Sequence, residues 1–136
     1  MANPATMPEV AVVARLTGQG GLTSGTNLFS GPERPVGTGI PGIAVFCAPY
    51  GGGIPVPYIG NTADVRSFSV QVLVRGDPDK RDAALTMARQ VWERLQRFIP
   101  SGYVSCLCDQ SDPVDMGMGN DDRPRFSINL SLQYSG

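Results

Sequence analysis

Residues 65–76 read VRSFSVQVLVRG, and the chain runs on directly into DPDKRDAALTMARQVWERLQRFIP at 77–100. The first stretch alternates. Phe68, Val70, Val72 and Val74 fall on one side of an extended chain, and Ser67, Ser69, Gln71, Leu73 and Arg75 fall on the other. The second has a helical period. Ala84, Met87, Ala88, Val91, Leu95 and Phe98 make one stripe, with Trp92 at its border. Asp77 suits the N-cap and Pro78 the first helical position. Asp79 and Asp82 stand at the positive end of the helix dipole, Arg94 and Arg97 at the negative end, and Pro100 and Gly102 stop it. Burying each large apolar member of the stripe stabilises the fold by about 1.5–3 kcal/mol.

A second strand of the same kind closes the chain. In RFSINLSLQY, 125–134, Phe126, Ile128, Leu130, Leu132 and Tyr134 share one side, and Arg125, Ser127, Asn129, Ser131 and Gln133 share the other. Two strands with one apolar face each need a cover on one side only. A second helix is predicted at about 7–17. Thr6 and Glu9 have capping-box spacing, Pro8 is harmless in a first turn, and Gly18 can close the end. Its apolar side is read as Val10, Val13 and Ala14. Shorter strands are predicted in TNLFS (26–30), IAVFCAP (43–49) and YVSCLCDQ (103–110). The fold class is therefore α+β: one domain over 1–136, two-layered, with a mostly antiparallel β-sheet and two helices packed on one face. The strand count leaves open edges, and open edges seek partners.

The length of 136 residues suits one core, and the net charge of −1 gives no global attraction to nucleic acid or an acidic membrane. No apolar run approaches the ~20 residues of a membrane span. The start, MANPATMPEV, has neither a basic nor an apolar signal region, so no signal peptide is expected. There is no histidine, which removes the commonest general base and metal ligand. Cys47, Cys106 and Cys108 are an odd set, read as reduced thiols; Cys106 and Cys108 would share a strand face with Val104. Three thiols without histidine fall short of a zinc site, so no metal and no cofactor is expected.

Other motifs resolve blandly. GTGIPG at 37–42 matches the dinucleotide-binding glycine pattern, but no buried strand precedes it, Pro41 lies inside it and a strand follows it. No serine lies in a nucleophile elbow, so no catalytic residue is assigned. The stretch 109–122 reads as an acidic loop: Asp109, Asp112, Asp115, Asp121 and Asp122 without a base, at spacings that do not fit an EF-hand. Tyr50 and Tyr58 flank GGGIPVP, a pattern that suits either a contact surface or local packing.

Taken in order, TNLFSGPERP (26–35), IAVFCAPYGGGIPVP (43–57) and VRSFSVQVLVRG (65–76) running into a helix resemble the tail terminator family of long-tailed bacteriophages, whose members are also called minor capsid or tail completion proteins. The matching positions are Asn27, Leu28, Phe29, Pro35, Gly51, Gly52, Gly53, Arg66, Val74, Arg75 and Gly76. The resemblance covers most of residues 7–98. It implies a non-enzymatic homo-hexameric ring that caps the tail tube, stops the tail tube protein from polymerising and meets the head connector or stopper protein. Genomic DNA would pass through the lumen without specific binding, and the location would be the tail–neck junction of the virion, after assembly in the host cytoplasm. On this expectation Arg66 and Arg75 pair with acids across a subunit contact, Glu33 or the acidic loop supplies those acids, Tyr50 and Tyr58 belong to a contact surface, and the acids of 109–122 line the DNA channel. Two other readings stand beside it: another head–tail joining protein, and a small ligand-binding or enzymatic domain.

Overall fold

The computed structural model describes residues 7–33, 42–50, 56–57, 64–100, 102–118 and 121–135. It contains helices α1 (Pro8–Leu16) and α2 (Arg81–Leu95) and strands β1 (Leu28–Ser30), β2 (Ala44–Pro49), β3 (Val56–Pro57), β4 (Asp64–Arg75), β5 (Tyr103–Cys108), β6 (Val114–Met118) and β7 (Pro124–Ser135). They form one sheet in the order β1-β2-β4-β7-β5, with β3 added to β4 and β6 to β7. Every pairing is antiparallel except β1 with β2. The α+β class and mostly antiparallel sheet are as the sequence predicts. Neither described helix is long and apolar enough to cross a membrane.

The centre of the sheet is the β4–β7 pair, in unbroken register from Val65 opposite Ser135 to Arg75 opposite Arg125. The alternating residues fall as predicted. Val70, Val72, Val74, Phe126, Ile128, Leu130 and Leu132 are buried in one core with Val12 and Leu16 of α1 and Ala84, Met87, Ala88, Val91 and Leu95 of α2. Both helices thus cover the same face.

The opposite face is not polar throughout. On β2, Ala44, Val45, Phe46 and Cys47 are all buried, so this strand is apolar on both sides and needs cover on both. Phe29, Ala44 and Phe46 form a second small cluster there, with Leu73 against it. Phe29 and Phe46 stack with centroids 5.6 Å apart.

Local expectations are corrected at several points. The buried side of α1 is Pro8, Ala11, Val12 and Leu16, while Val10 is exposed. Its N-cap is Met7, without a side-chain cap; Thr6 lies outside the described residues. Gly18 does take the left-handed conformation after the helix, φ 88°. Helix α2 starts at Arg81, with Lys80 as N-cap, rather than at Pro78. The reason is tertiary. The Lys80 N–H donates to the Asp77 carbonyl across a turn, and the Asp79 N–H, at φ 59°, donates to the carbonyl of Asp122. Pro78 followed by a left-handed residue is a turn pattern. The helix ends at Leu95, where Arg97 is left-handed and its N–H bonds the Cys106 carbonyl.

On β5 a bulge between Tyr103 and Ser105 shifts the phase, so Tyr103 and Cys106 point inward and Val104 outward. Cys106 therefore does not share its face with Val104. The acidic stretch is not all loop, since β6 lies within it. Strand β7 has 12 residues and β5 only 6; β5 pairs with its second half and β6 takes the first.

Candidate assembly surface

The antiparallel register sets Arg75 and Arg125 directly opposite each other, on the face away from the helices. Two like charges in that position repel, so the pair needs counter-charges. Glu33 supplies one. Its Oε2 accepts from Arg75 Nη1 at 2.9 Å and from Arg125 Nη2 at 2.8 Å. Asp121 supplies the other, accepting from Arg125 Nη1 at 3.0 Å and Nη2 at 2.9 Å. Arg75 is 2% exposed and its guanidinium lies 5.0 Å over the Phe46 ring. The network ties the end of β1 to the sheet centre.

Protonation follows from these contacts. Burial alone would raise the Glu33 carboxyl, but hydrogen bonds from Arg125 and Arg75 outweigh it and hold it below its ordinary value. The hydrogen bonds from Arg125 hold Asp121 well below the carboxylate range, and Asp121 and Glu33 in turn raise Arg125.

Arg75 and Glu33 therefore meet each other within one chain. Arg66 lies elsewhere. It is nine residues from Arg75 on β4, about 30 Å away at 3.3 Å per residue, and on the opposite face. Its guanidinium sits 4.9 Å over the Phe68 ring, beside the edge-to-face contacts of Phe68 with Tyr103 and Tyr103 with Tyr134. Tyr50 is 62% exposed at the end of β2, its N–H bonded to the Ser69 carbonyl. Tyr58, Pro35, Gly51, Gly52 and Gly53, and residues 37–41 of the GTGIPG loop, lie outside the described residues.

The acids of 109–122 are largely neutralised by arginines brought from other elements. Asp112 accepts two bonds from Arg89 and Asp115 one from Arg81, both on α2, and each is held below its ordinary value by that bond. Asp121 is paired with Arg125, and Asp109 accepts the Ser131 hydroxyl at 2.6 Å. Sequence reading missed Arg81, Arg89 and Arg125 as partners. The available signal was the alternation of β7, which already put Arg125 on the face of Arg75.

Burial pushes Cys47 up to about 12, Cys106 to about 11 and Cys108 to about 12, so the thiols stay protonated and are poor nucleophiles. Among the described residues no group of three His, Cys, Asp or Glu side chains is placed to hold a metal. On the helix-free side a groove of about 350 Å³ runs between Pro32–Glu33 and Met116 over Phe46, Ala48 and Leu73. Val104, Leu107, Met116 and Met118 are all about half-exposed along the β5 and β6 side of the sheet.

The edges differ in availability. The outer edge of β5 is blocked by its own connection from α2: Arg97 donates to the Cys106 carbonyl, and the Cys108 N–H donates to Gln96 Oε1 at 2.8 Å. Docking by strand addition to β5 is thereby disfavoured.

No protein-family model matches the sequence, and no curated protein matches it. The chain is similar in structure to a chain of a solved particle described as "Virion of native gene transfer agent (GTA) particle", with a TM-score of 0.60 and 15% sequence identity. The likeness covers 97% of this chain and 87% of that one, so the whole arrangement of layers is shared.

Proposed function

We propose that the chain is a structural protein of a phage-like virion, a tail terminator whose homo-hexameric ring caps the tail tube, ends tube polymerisation and joins the tail to the head connector. The observation that carries this reading is the end-to-end likeness to a chain of a virion particle. The ordered resemblance of residues 26–76 to the tail terminator family supports it independently. The location would be the tail–neck junction. The role needs no chemical step.

In this reading Arg75 and Glu33 act from inside the subunit. They set the shape of the helix-free face, and that face and the exposed Tyr50 meet a neighbour or the tube. Arg66, on the other face, serves a different contact. DNA passes through the lumen without specific binding, because the lumen-facing acids repel phosphate and the protein carries a net charge of −1. The lumen lining drawn from 109–122 reduces to Asp109: Asp112, Asp115 and Asp121 are neutralised in the chain, and Asp122 sits beside the start of α2.

The test is growth of tubes from the purified tail tube protein of the same particle, followed by electron microscopy. Added chain should shorten the tubes and appear as a cap at one end. Tubes of unchanged length and bare ends would contradict the capping role. Binding to the portal-side adaptor instead would make the chain a stopper or head-completion protein.

A further inference from the structure

Charged residues of opposite sign without ion pairs among the described residues lie at the two ends of α2. At its start lie Asp79, Asp82 and Asp122, all exposed and without an ion pair among the described residues. Asp79 and Asp122 come from different segments and are joined backbone to backbone at 3.3 Å. The neighbouring bases Arg81 and Arg123 are already paired, with Asp115 and Asp77, which leaves Lys80 beside this end without an ion pair among the described residues.

At the other end lie Arg15, Arg94 and Arg97, again without an ion pair among the described residues. Arg15 Nε donates to the Arg94 carbonyl at 3.1 Å, and Arg94 Nε donates to the Arg15 carbonyl at 3.3 Å. The Arg15 guanidinium lies 4.8 Å over Phe98, next to Arg97. Glu93 lines the same shallow groove with Gln19 and Gln90.

The helix dipole accounts for the sign of Asp82 and Arg94 on their own helix. It does not account for Asp122 on the β6–β7 connection. The 15 residues of α2 separate the two ends by about 22 Å, more than twice the ~8 Å Debye length, so they do not neutralise each other across the molecule. Each patch also carries an exposed apolar residue: Ile99, 54% exposed, two residues after Arg97, and Met118, 57% exposed, which pairs with Pro124 two residues after Asp122. A charged rim around an apolar point is the anatomy of a protein contact.

We infer that the acidic end of one copy docks on the basic end of the next, making a head-to-tail contact between subunits. Opposite signs at opposite ends make the contact heterologous, the kind that closes into a ring when each step rotates by a fixed angle. The partner is a second copy of this chain. The inference rests on the ring reading above and adds to it the surfaces that meet.

Charge exchange tests it. The variant D79K/D122K carries positive charge at both ends, and R94E/R97E carries negative charge at both. Each alone repels its own copies; mixed, every contact is again complementary. Zero-length carbodiimide cross-linking with peptide mapping should join positions 79 or 122 of the first variant to 94 or 97 of the second. Yield should fall about tenfold or more as salt rises well above physiological, because the contact is electrostatic. The variant D109K/D112K has the same net charge as D79K/D122K and should give no cross-link to 94 or 97. Circular dichroism confirms that each variant is folded. No 79/122 to 94/97 product in the mixture, or an equal yield from the control, overturns the inference. The tube assay is read separately. Wild-type capping with failure of the exchange sinks only this contact; successful exchange without capping sinks only the tail role.

Discussion

Replacing Glu33 by alanine should lower unfolding stability by about 2 kcal/mol, within the range for hydrogen bonds between charged groups at a half-buried site. Two arginines face each other across the β4–β7 ladder, and Glu33 is the carboxylate that bonds both. Without it, Arg75 loses its bond to Glu33 while its guanidinium stays 2% exposed over Phe46, and Arg125 keeps Asp121. Urea unfolding measures the change; a loss below ~0.5 kcal/mol would show that Glu33 does not carry this role. The same network sets the acid limit. Glu33 and Asp121 are both depressed in the folded chain, so their contribution is complete above the unfolded carboxylate range near ~4 and is lost as pH falls through the folded values. D121N should flatten the acid limb of the stability profile and leave neutral-to-alkaline behaviour parallel to wild type.

Replacing Gly76 by alanine should cost about 2–3 kcal/mol by overpacking. Gly76 ends the sequence stretch that defines the sheet, and its backbone conformation is open to any residue. What forbids a side chain is distance: a Cβ there would stand 2.6 Å from Ala84 Cβ on α2 and 3.1 Å from Pro124 Cγ. The helix layer approaches the sheet through this gap. Ala84→Gly should restore part of the loss in the double variant, although by itself it costs about 1 kcal/mol of helix propensity. A double variant no more stable than G76A would mean that Ala84 is not the atom in the way.

Long periodic segments were legible because burial on one side writes itself into every second or every third to fourth residue. β4, β7 and the stripe of α2 follow that rule. Failures came where a contact distant in sequence overrode the local pattern. Asp77 and Pro78 have good helix-start chemistry, yet the bond from Asp79 to Asp122 holds them in a turn. VDMGM has weak strand propensity and pairs because half of β7 was free. The β5 bulge has no signature in YVSCLC and moves Val104 from the core to the surface. The sequence suggests Arg66 and Arg75 pairing with Glu33 or the acidic loop across a subunit contact. The sequence could not show that their partners lay in the same chain, because Arg125 is 92 residues from Glu33.

The central claim is that this chain is a ring-forming part of a virion tail, and cryo-electron microscopy of the intact particle that encodes it tests that most directly. The account predicts a ring of copies at the tail–neck junction, above the last layer of tail tube protein and coaxial with the DNA path. Finding the chain in the capsid shell, or finding particles complete without it, would contradict the account.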